Sequence, residues 1–294
     1  MSLRFDLIGF GGAGSLVSID VVEILTGQVP PPLAFTLTPD SDSGVPGNDT
    51  TNQSQVGLVG ITDPNRAVSL DQDGDGFDDG TILADDAGRF IFENVPLQEG
   101  ENEIRLLVGN DAGQTIRSRI VRLDREPPRV EAIVVNEGAV QRSMVTSIEI
   151  RFSEDVSAGL TAAALVLSNL TSETMIAADA MEVTYDAESD TATWTFPGLT
   201  GASLPDGNYL SRLLGDAVAD AAGNLLDGNE NGEAGGDRTF EFFRYFGDTD
   251  ADRDVDFFDT FRWSRTYRKT SGDEGFNPAL DHNRACPPLS KTLN

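Results

Sequence analysis

Short runs of β-branched and aromatic residues recur along this chain between clusters of glycine, aspartate, asparagine and proline. Such runs indicate antiparallel strands, and the turn-forming clusters mark the places where the chain reverses. Helix-period stripes are almost absent before residue 247, after which the pattern changes to a loop followed by a helix. The sequence therefore predicts a mainly β fold of sandwich type with a small C-terminal α segment.

Two proline-marked joints divide the chain, at Pro30–Pro32 and at Pro127–Pro128. Each range between the joints holds seven strand-like runs and is close to the ~100 residues of a β-sandwich. Residues 1–31 contain only two such runs, which cannot bury a core alone, so we predict that they are terminal strands of a truncated upstream domain. The other predicted domains are sandwich 1 (32–125), sandwich 2 (126–245) and a partial calcium-loop and helix segment (246–294).

The chain is strongly acidic, with a formal net charge of -28 on 294 residues and 32 Asp against 17 Glu. Short carboxylates favour turns and ion cages over helices. An acidic excess of this size repels nucleic acid and anionic lipid, which leaves cations, neutral sugars and basic protein surfaces as partners. Scattered acids also keep an exported protein soluble.

A single cysteine, Cys286, and a single histidine, His282, exclude several kinds of chemistry. They cannot form a disulfide framework, a Cys/His zinc site or a complete Ser-His-Asp site. Hydrolysis of a glycan by a pair of carboxylic acids needs neither residue type and is therefore not excluded. No run of 18 apolar residues and no signal-type leader is visible, and we expect the chain to be a piece of a longer exported protein.

The segment after the second predicted sandwich has aspartates at the spacing of a calcium loop. Ca²⁺ takes about six to eight oxygen ligands, and a 12-residue loop surrounds it when early acids alternate and a last carboxylate closes the cage. Arg253 replaces the usual glycine at position 6 and Val255 at position 8 is expected to point inward, while an aspartate replaces the usual glutamate at position 12, so we expect modest affinity. The predicted ligands are Asp248, Asp250, Asp252, Asp254 (through its backbone carbonyl), Asp256 and Asp259.

Three other loops carry oxygen ligands at alternate positions with glycines between them. The first lies between two strand-like runs and predicts a calcium-binding hairpin loop, with Ile82 where a closing acid belongs and Asp85 or Asp86 as substitutes. An Asp-Gly hairpin without metal remains the alternative for this loop, and plain polar turns remain so for the other two. The candidate ligands are Asp71, Asp73, Asp75 and Asp79 in the hairpin loop, Asp40, Asp42 and Asp49 in the second loop, and Asp227, Asn229 and Asn231 in the third.

Two further motifs have two possible interpretations each. Gly9–Gly14 matches G-x-G-x-x-G but is followed by β-branched residues and a triproline, so it lacks the context of a dinucleotide site. The helix after the C-terminal calcium loop carries five aromatic residues, which pack either on the preceding strand (the favoured view) or form a docking face. These aromatic residues are Phe257, Phe258, Phe261, Trp263 and Tyr267.

The range 247–269 resembles the first half of a type I dockerin, matching its loop at Asp248, Asp250, Asp252, Val255, Asp256 and Asp259. Dockerins are paired calcium modules that bind cohesin domains and attach extracellular proteins to assemblies. A second repeat begins at Asn277, but Ala285 stands where the pattern needs an acid, so only a partial dockerin or EF-hand-like repeat is identified.

Residues 33–125 resemble the bacterial Ig-like repeats of large exoproteins through Leu37–Gly44, Ala84–Phe90 and Gly100–Asn102. Residues 124–243 resemble the Ig-like module that accompanies them in surface-layer-type proteins, with motifs at Ile150–Glu154 and Asp220–Asn224. The resemblance implies tandem Ig-like β-sandwiches that serve as a calcium-stiffened, non-catalytic spacer.

We therefore predict a non-catalytic, calcium-binding segment of a secreted or cell-surface protein, acting as spacer and adhesion region. Its expected partners are calcium and a cohesin-like or cell-surface protein or polysaccharide, with no nucleic acid and no membrane span. The alternative is the accessory C-terminal region of an extracellular polysaccharide hydrolase or protease, whose catalytic part lies upstream.

Overall fold

The computed structural model describes residues 29–281. The predicted upstream strands and the Gly9–Gly14 motif fall within residues 1–28, outside the described part, and so do His282 and Cys286. Two β-sandwiches follow one another along the described chain, and a loop and one short α-helix come after them. No helix in the described part is long and apolar enough to cross a membrane.

The first sandwich faces a three-stranded sheet, in the order β1-β3-β6, towards a five-stranded sheet, in the order β2-β8-β7-β4-β5. Every pairing is antiparallel except that of β2 with β8. Leu58, Val68 and Leu106 lie at its solvent-free centre. The strands are β1 Ala34–Leu37, β2 Thr50–Thr51, β3 Gln55–Ile61, β4 Ala67–Asp71, β5 Gly80–Leu83, β6 Arg89–Pro96, β7 Gly100–Asn110 and β8 Gly113–Leu123.

The second sandwich has two four-stranded antiparallel sheets, in the orders β13-β14-β10-β9 and β12-β11-β15-β16. Its core is more aromatic, with buried Trp194 donating to the Ala162 carbonyl at 3.1 Å and Tyr209 stacked on Phe242. The strands are β9 Val130–Val135, β10 Ser147–Phe152, β11 Leu165–Asn169, β12 Thr174–Met175, β13 Glu182–Asp186, β14 Thr191–Thr195, β15 Gly207–Leu213 and β16 Arg238–Arg244, and helix α1 spans Phe257–Thr266.

The strand-like runs in the sequence correspond to fourteen of these sixteen strands. Strands β2 and β12 were not predicted, because each has two residues and so presents no alternation that a pattern could reveal. Alternation is clear in the longer strands: in β6, Phe90 and Phe92 are buried while Arg89 and Ile91 are exposed. The prediction of a mainly β, sandwich-like fold with one short helix is therefore confirmed.

Candidate metal centres

Carboxylates form four convergent groups at three places in the described part of the chain, with oxygens that lie within 4.8 Å of one another. Two of these groups belong to the C-terminal loop, and one belongs to the β4–β5 hairpin loop. The fourth lies where the two sandwiches meet and was not predicted. The groups are Asp248/Asp250/Asp259, Asp252/Asp254/Asp259, Asp71/Asp73/Asp79 and Asp124/Glu154/Asp220.

Asp248, at position 1 of the C-terminal loop, is completely buried and organises the loop around itself. Its Oδ1 accepts hydrogen bonds from the backbone N–H groups of Asp250 (3.2 Å) and Ala251 (2.6 Å). Its Oδ2 accepts one from Arg253 N–H at 3.1 Å. The first-position carboxylate therefore holds the loop backbone in a wrapped conformation.

The loop turns at two non-glycine residues with left-handed backbone conformations, Ala251 (φ 65°) and Arg253 (φ 77°). Only glycine adopts this region without steric cost. The strain expected from placing arginine at position 6 is therefore present in the structure.

Asp259, at position 12, is buried and faces back towards the start of the loop. Its Oδ1 accepts from the backbone N–H of Thr249 (2.7 Å) and from the Thr249 hydroxyl (2.6 Å), and its Oδ2 accepts from Asp256 N–H (3.0 Å). Burial acts to raise the pKa of Asp259, but these hydrogen bonds and the charge of Arg262 outweigh it and lower the pKa. Asp259 is therefore held ionised at the closing position.

Asp256, at position 9, has a different role from the one predicted. Its Oδ1 accepts a hydrogen bond from Phe258 N–H at 2.7 Å, and its reciprocal contact with Asp259 completes a capping box at the start of α1. Asp256 also lies outside the convergent groups. Its carboxylate caps the helix terminus and is not a member of either convergent group.

The three acids at positions 3, 5 and 7 complete the ring of charge. Burial, followed by the charges of Asp252 and Asp259, raises the pKa of Asp250, and the Asp252 charge is the main cause of a raised pKa at Asp254. Asp250 Oδ1 is buried and has no hydrogen-bond partner, while its Oδ2 lies 3.4 Å from Arg262 Nη1. The side chain of Asp254, and not only its carbonyl, points towards the group. Clustered oxygens with raised pKa values are chemically suited to a hard divalent cation.

Two expectations about apolar side chains near the loop are wrong. Val255 does not point inward but is 54% exposed. The aromatic residues of α1 and its C-cap Tyr267 are not covered by the preceding strand, because each remains between 41% and 73% exposed. The helix therefore presents an uncovered aromatic surface beside the loop.

In the β4–β5 hairpin loop, Asp71 is fully buried and already has two partners. Gly74 N–H donates to its Oδ1 at 2.7 Å, and Arg105 Nη1 lies 2.9 Å from its Oδ2. Asp79 accepts from Gln72 N–H at 2.6 Å. The acids at positions 1, 3 and 9 therefore converge, with an arginine as a neutralising neighbour.

Asp75 does not join this group. Its pKa is raised mainly by the hydrogen bond and the charge of Asp73. The proposed substitutes for a closing acid also face elsewhere, because Asp85 accepts from Ala87 and Arg89 N–H groups and Asp86 contacts Asn65.

The acids of the second predicted loop are not brought together. Asp42 Oδ2 accepts from Gly47 N–H at 2.5 Å, and Asp49 pairs with Arg119 at 2.6 Å. Asp40 is exposed, and none of the three belongs to a convergent group. Asp42 shapes the loop by a local bond while its Oδ1 is buried without a hydrogen-bond partner, and Asp49 is paired with an arginine 70 residues away.

In the third predicted loop, buried Asp227 closes a tight turn. Its Oδ1 accepts from Asn231 N–H at 3.0 Å and its Oδ2 from Gly232 N–H at 2.8 Å. Asn229 Oδ1 lies 3.3 Å from the same Asn231 nitrogen. The carboxylate and amide oxygens are thus used by backbone donors within the turn.

The group missed from the sequence joins three distant segments: Asp124 after β8, Glu154 after β10 and Asp220 before β16. Asp220 is buried and accepts at 2.8 Å from both the backbone and the side-chain nitrogen of Asn224. Burial, followed by the charges of Asp220 and Asp124, raises the pKa of Glu154 to about 7. No spacing signal exists for such a group, because its members meet only after folding.

No curated protein sequence matches this chain. Among solved structures, the titin I-band fragment I67–I69 has 11% identity and a TM-score of 0.36, covering 74% of this chain and 66% of the fragment. The chicken CNTN1 FN1–FN3 domains have 9% identity and a TM-score of 0.31, covering 69% of this chain and 62% of theirs. The BSP domain of a biofilm associated protein has 12% identity and a TM-score of 0.23, covering 60% of this chain and 26% of that one.

These structural likenesses are too distant to carry an argument about function. The family comparison is more specific, because it depends on the sequence of one sandwich. Residues 124–242, from the linker between β8 and β9 (residues 124–129) to the greater part of β16, match the model of the bacterial Ig-like domain, Big_5.

Proposed function

We propose that this chain is a non-catalytic, calcium-binding modular segment of a secreted or surface-attached protein, serving as spacer and attachment region. Ig-like domains are typically non-catalytic surface modules, and the match over the second sandwich supports this class. Calcium would stiffen the C-terminal loop and the β4–β5 hairpin loop.

The observation that carries the proposal is the ring of carboxylates in the C-terminal loop. Five aspartates contribute to its two convergent groups, and one oxygen of Asp250 is buried without a partner. Like charges packed this closely repel one another, at about 1 kcal/mol per pair even in a water-like dielectric. A divalent cation among them would remove the repulsion and supply the missing partner of Asp250.

The hairpin loop is the second candidate site. Asp71, Asp73 and Asp79 converge there, but Arg105 already neutralises part of the charge. A calcium ion would have to coexist with this guanidinium. We therefore expect weaker binding here than in the C-terminal loop.

Attachment would use helix α1, whose aromatic residues are exposed beside the stronger candidate site. The expected partner is a cohesin-like protein, or a cell-surface protein or polysaccharide. The exposed helix also keeps the alternative open, in which the segment anchors an extracellular polysaccharide hydrolase or protease.

The experiment is isothermal titration of the chelator-treated protein with Ca²⁺, joined to thermal unfolding. Extracellular sites of this kind have Kd values of roughly 10⁻⁴ to 10⁻³ M. At 10 mM Ca²⁺ and a Kd of about 10⁻³ M, linkage predicts about 1.4 kcal/mol of added stability.

The double variant Asp252→Ala/Asp254→Ala should lose this heat and this stabilisation, since it removes two candidate ligand side chains whose residues make no hydrogen bond to Asp248. Glu274→Gln removes an exposed acid outside the groups and should behave like the unaltered protein. Absence of both heat and stabilisation in the unaltered protein would overturn the proposal.

A further inference from the structure

We propose that the two sandwiches are held in one fixed relative orientation by a metal-independent lock between two backbone segments. The first segment, called here the docking loop, comprises residues 43–48 of sandwich 1. The second, called the acceptor turn, comprises residues 220–224 of sandwich 2. The lock goes beyond the proposed function, because it requires no calcium.

Three hydrogen bonds join the docking loop to the acceptor turn. Val45 N–H donates to the Ala221 carbonyl at 3.1 Å, and the Asn48 side-chain amide donates to the same oxygen at 3.0 Å. The Ser43 hydroxyl donates to the Ala222 carbonyl at 2.6 Å. Two adjacent carbonyls of one sandwich are thus satisfied by the other.

Two glycines make this approach possible. A Cβ on Gly44 would lie 2.6 Å from the Gly223 nitrogen and would also collide with the Ala221 carbonyl oxygen. A Cβ on Gly223 would in turn lie 2.9 Å from the Gly44 nitrogen. The opposing atoms are backbone, so no side-chain rotation can relieve the collision. Backbone meets backbone at this point only because both residues lack side chains.

The docking loop is hydrogen-bonded to strand β2, which pairs with the end of β8 just before the linker. Ser43 Oγ accepts from Asn52 N–H at 2.9 Å, and it lies 3.1 Å from the hydroxyl of buried Thr51 in β2. Strand β2 pairs in parallel with the end of β8, where Thr51 faces Leu123. The loop therefore moves with the end of sandwich 1.

A second contact point lies on the linker itself. The side-chain amide of Asn224 donates to the Asp124 carbonyl at 3.0 Å. The covalent linker alone would leave the sandwiches free to swing and twist. Contacts on both the linker and the docking loop restrain both motions.

The acceptor turn is itself stiff. Asp220 holds Asn224 through both carboxylate oxygens, and a bridge between Ala219 and Leu225 closes the base of the turn. Ala222, at its tip, is almost fully buried. A preformed turn loses little conformational entropy when it docks.

Every bond that crosses between docking loop and acceptor turn joins neutral groups. The lock should therefore persist in chelator and depend little on salt. This separates it from the calcium proposal, in which the carboxylate loops are the active parts.

The test measures backbone residual dipolar couplings in weakly aligned protein, with chelator and again with 5 mM Ca²⁺. Each sandwich is fitted separately, and one common alignment tensor is expected in both conditions. Gly44→Ala should give two different tensors, while the couplings within each sandwich still fit that sandwich. Gly47→Ala is the matched control: this glycine lies in the same loop with φ +82°, but a Cβ there meets nothing within 4 Å. It should retain the common tensor.

If Gly44→Ala does not fold, Ser43→Ala/Asn48→Ala removes two crossing hydrogen bonds without backbone strain and should also separate the tensors. Different tensors for the unaltered protein in chelator, or a common tensor in the folded Gly44→Ala variant, would overturn the lock. A common tensor in a protein that binds no calcium would support the lock and refute the proposed function.

Discussion

The guanidinium of Arg253 lies over the ring of Phe243, 4.9 Å from its centroid. This contact joins position 6 of the C-terminal loop to the last strand of sandwich 2. A cation–π contact of this kind contributes about 0.5–1 kcal/mol at an exposed site. It offsets part of the cost of the left-handed backbone at Arg253 and tethers the loop to the β-sandwich.

Replacing Arg253 with glycine should tighten calcium binding. Glycine removes the strain at φ 77° and removes a positive charge near the carboxylates. We expect Kd to fall severalfold in isothermal titration. Arg253→Ala removes the same charge but keeps a Cβ, so it should gain less. Equal affinity in the two variants would show that backbone strain does not limit binding.

The contrasting roles of Asp256 and Asp259 allow a direct test. Asparagine caps helices as well as aspartate does, so Asp256→Asn should keep both the helix and the calcium affinity within about twofold. Asp259→Asn removes the carboxylate shared by both convergent groups and should weaken binding at least tenfold. Titration with circular dichroism as a helix control measures both. A large loss of affinity in Asp256→Asn would make Asp256 a ligand.

Spacing could predict that the C-terminal loop concentrates acids, but not which task each acid performs. Aspartates at loop positions 9 and 12 are also the Ncap and N3 residues of the following helix. The same two aspartates therefore satisfy both the spacing of calcium ligands and that of a capping box. Only the folded structure separates the two roles at Asp256.

The alternation of apolar and polar residues likewise predicts fourteen strands, because successive side chains of a strand face opposite sides of the sheet and leave this pattern in the local sequence. The lock and the Asp124/Glu154/Asp220 group depend on chain separations that no local pattern contains. Ser43 and Ala222, for example, are 179 residues apart. Such contacts depend on how the two sandwiches pack. In the sequence, Gly44 cannot be distinguished from any other turn glycine.

Arg105 should contribute most to the free energy of unfolding when calcium is absent. Its removal in Arg105→Met leaves the buried Asp71 carboxylate without its cation, which we expect to cost about 2 kcal/mol of unfolding free energy in chelator. Calcium should restore part of this loss, because the ion would replace the guanidinium. Urea unfolding with and without Ca²⁺ measures both effects.

Arg117→Met provides the control, because the exposed Arg117 guanidinium donates to the carbonyl of neighbouring Ile116 and to none of the clustered carboxylates. Its unfolding free energy should change by less than about 0.5 kcal/mol. A loss in Arg105→Met that calcium leaves unchanged would argue against a metal in the hairpin loop.

The raised pKa of Glu154 predicts a pH dependence of stability. In the folded state this pKa is about 7, against an ordinary value of 4.5, so the folded protein binds the proton more tightly than the unfolded chain. The contribution of Glu154 to stability must therefore fall as pH rises from about 4.5 to about 7. Glu154 is partly exposed, so solvent screening reduces the effect.

Glu154→Gln should be more stable than the unaltered protein above pH 7, and the difference should vanish below pH 4.5, where the glutamate is protonated in both states. Urea midpoints between pH 4 and 8, measured in chelator so that no cation screens Asp124 and Asp220, give the comparison. Glu182→Gln, at an exposed position of β13, should parallel the unaltered protein throughout. If the urea midpoints of Glu154→Gln also follow those of the unaltered protein at every pH, the three carboxylates do not interact in solution as they do in the fold.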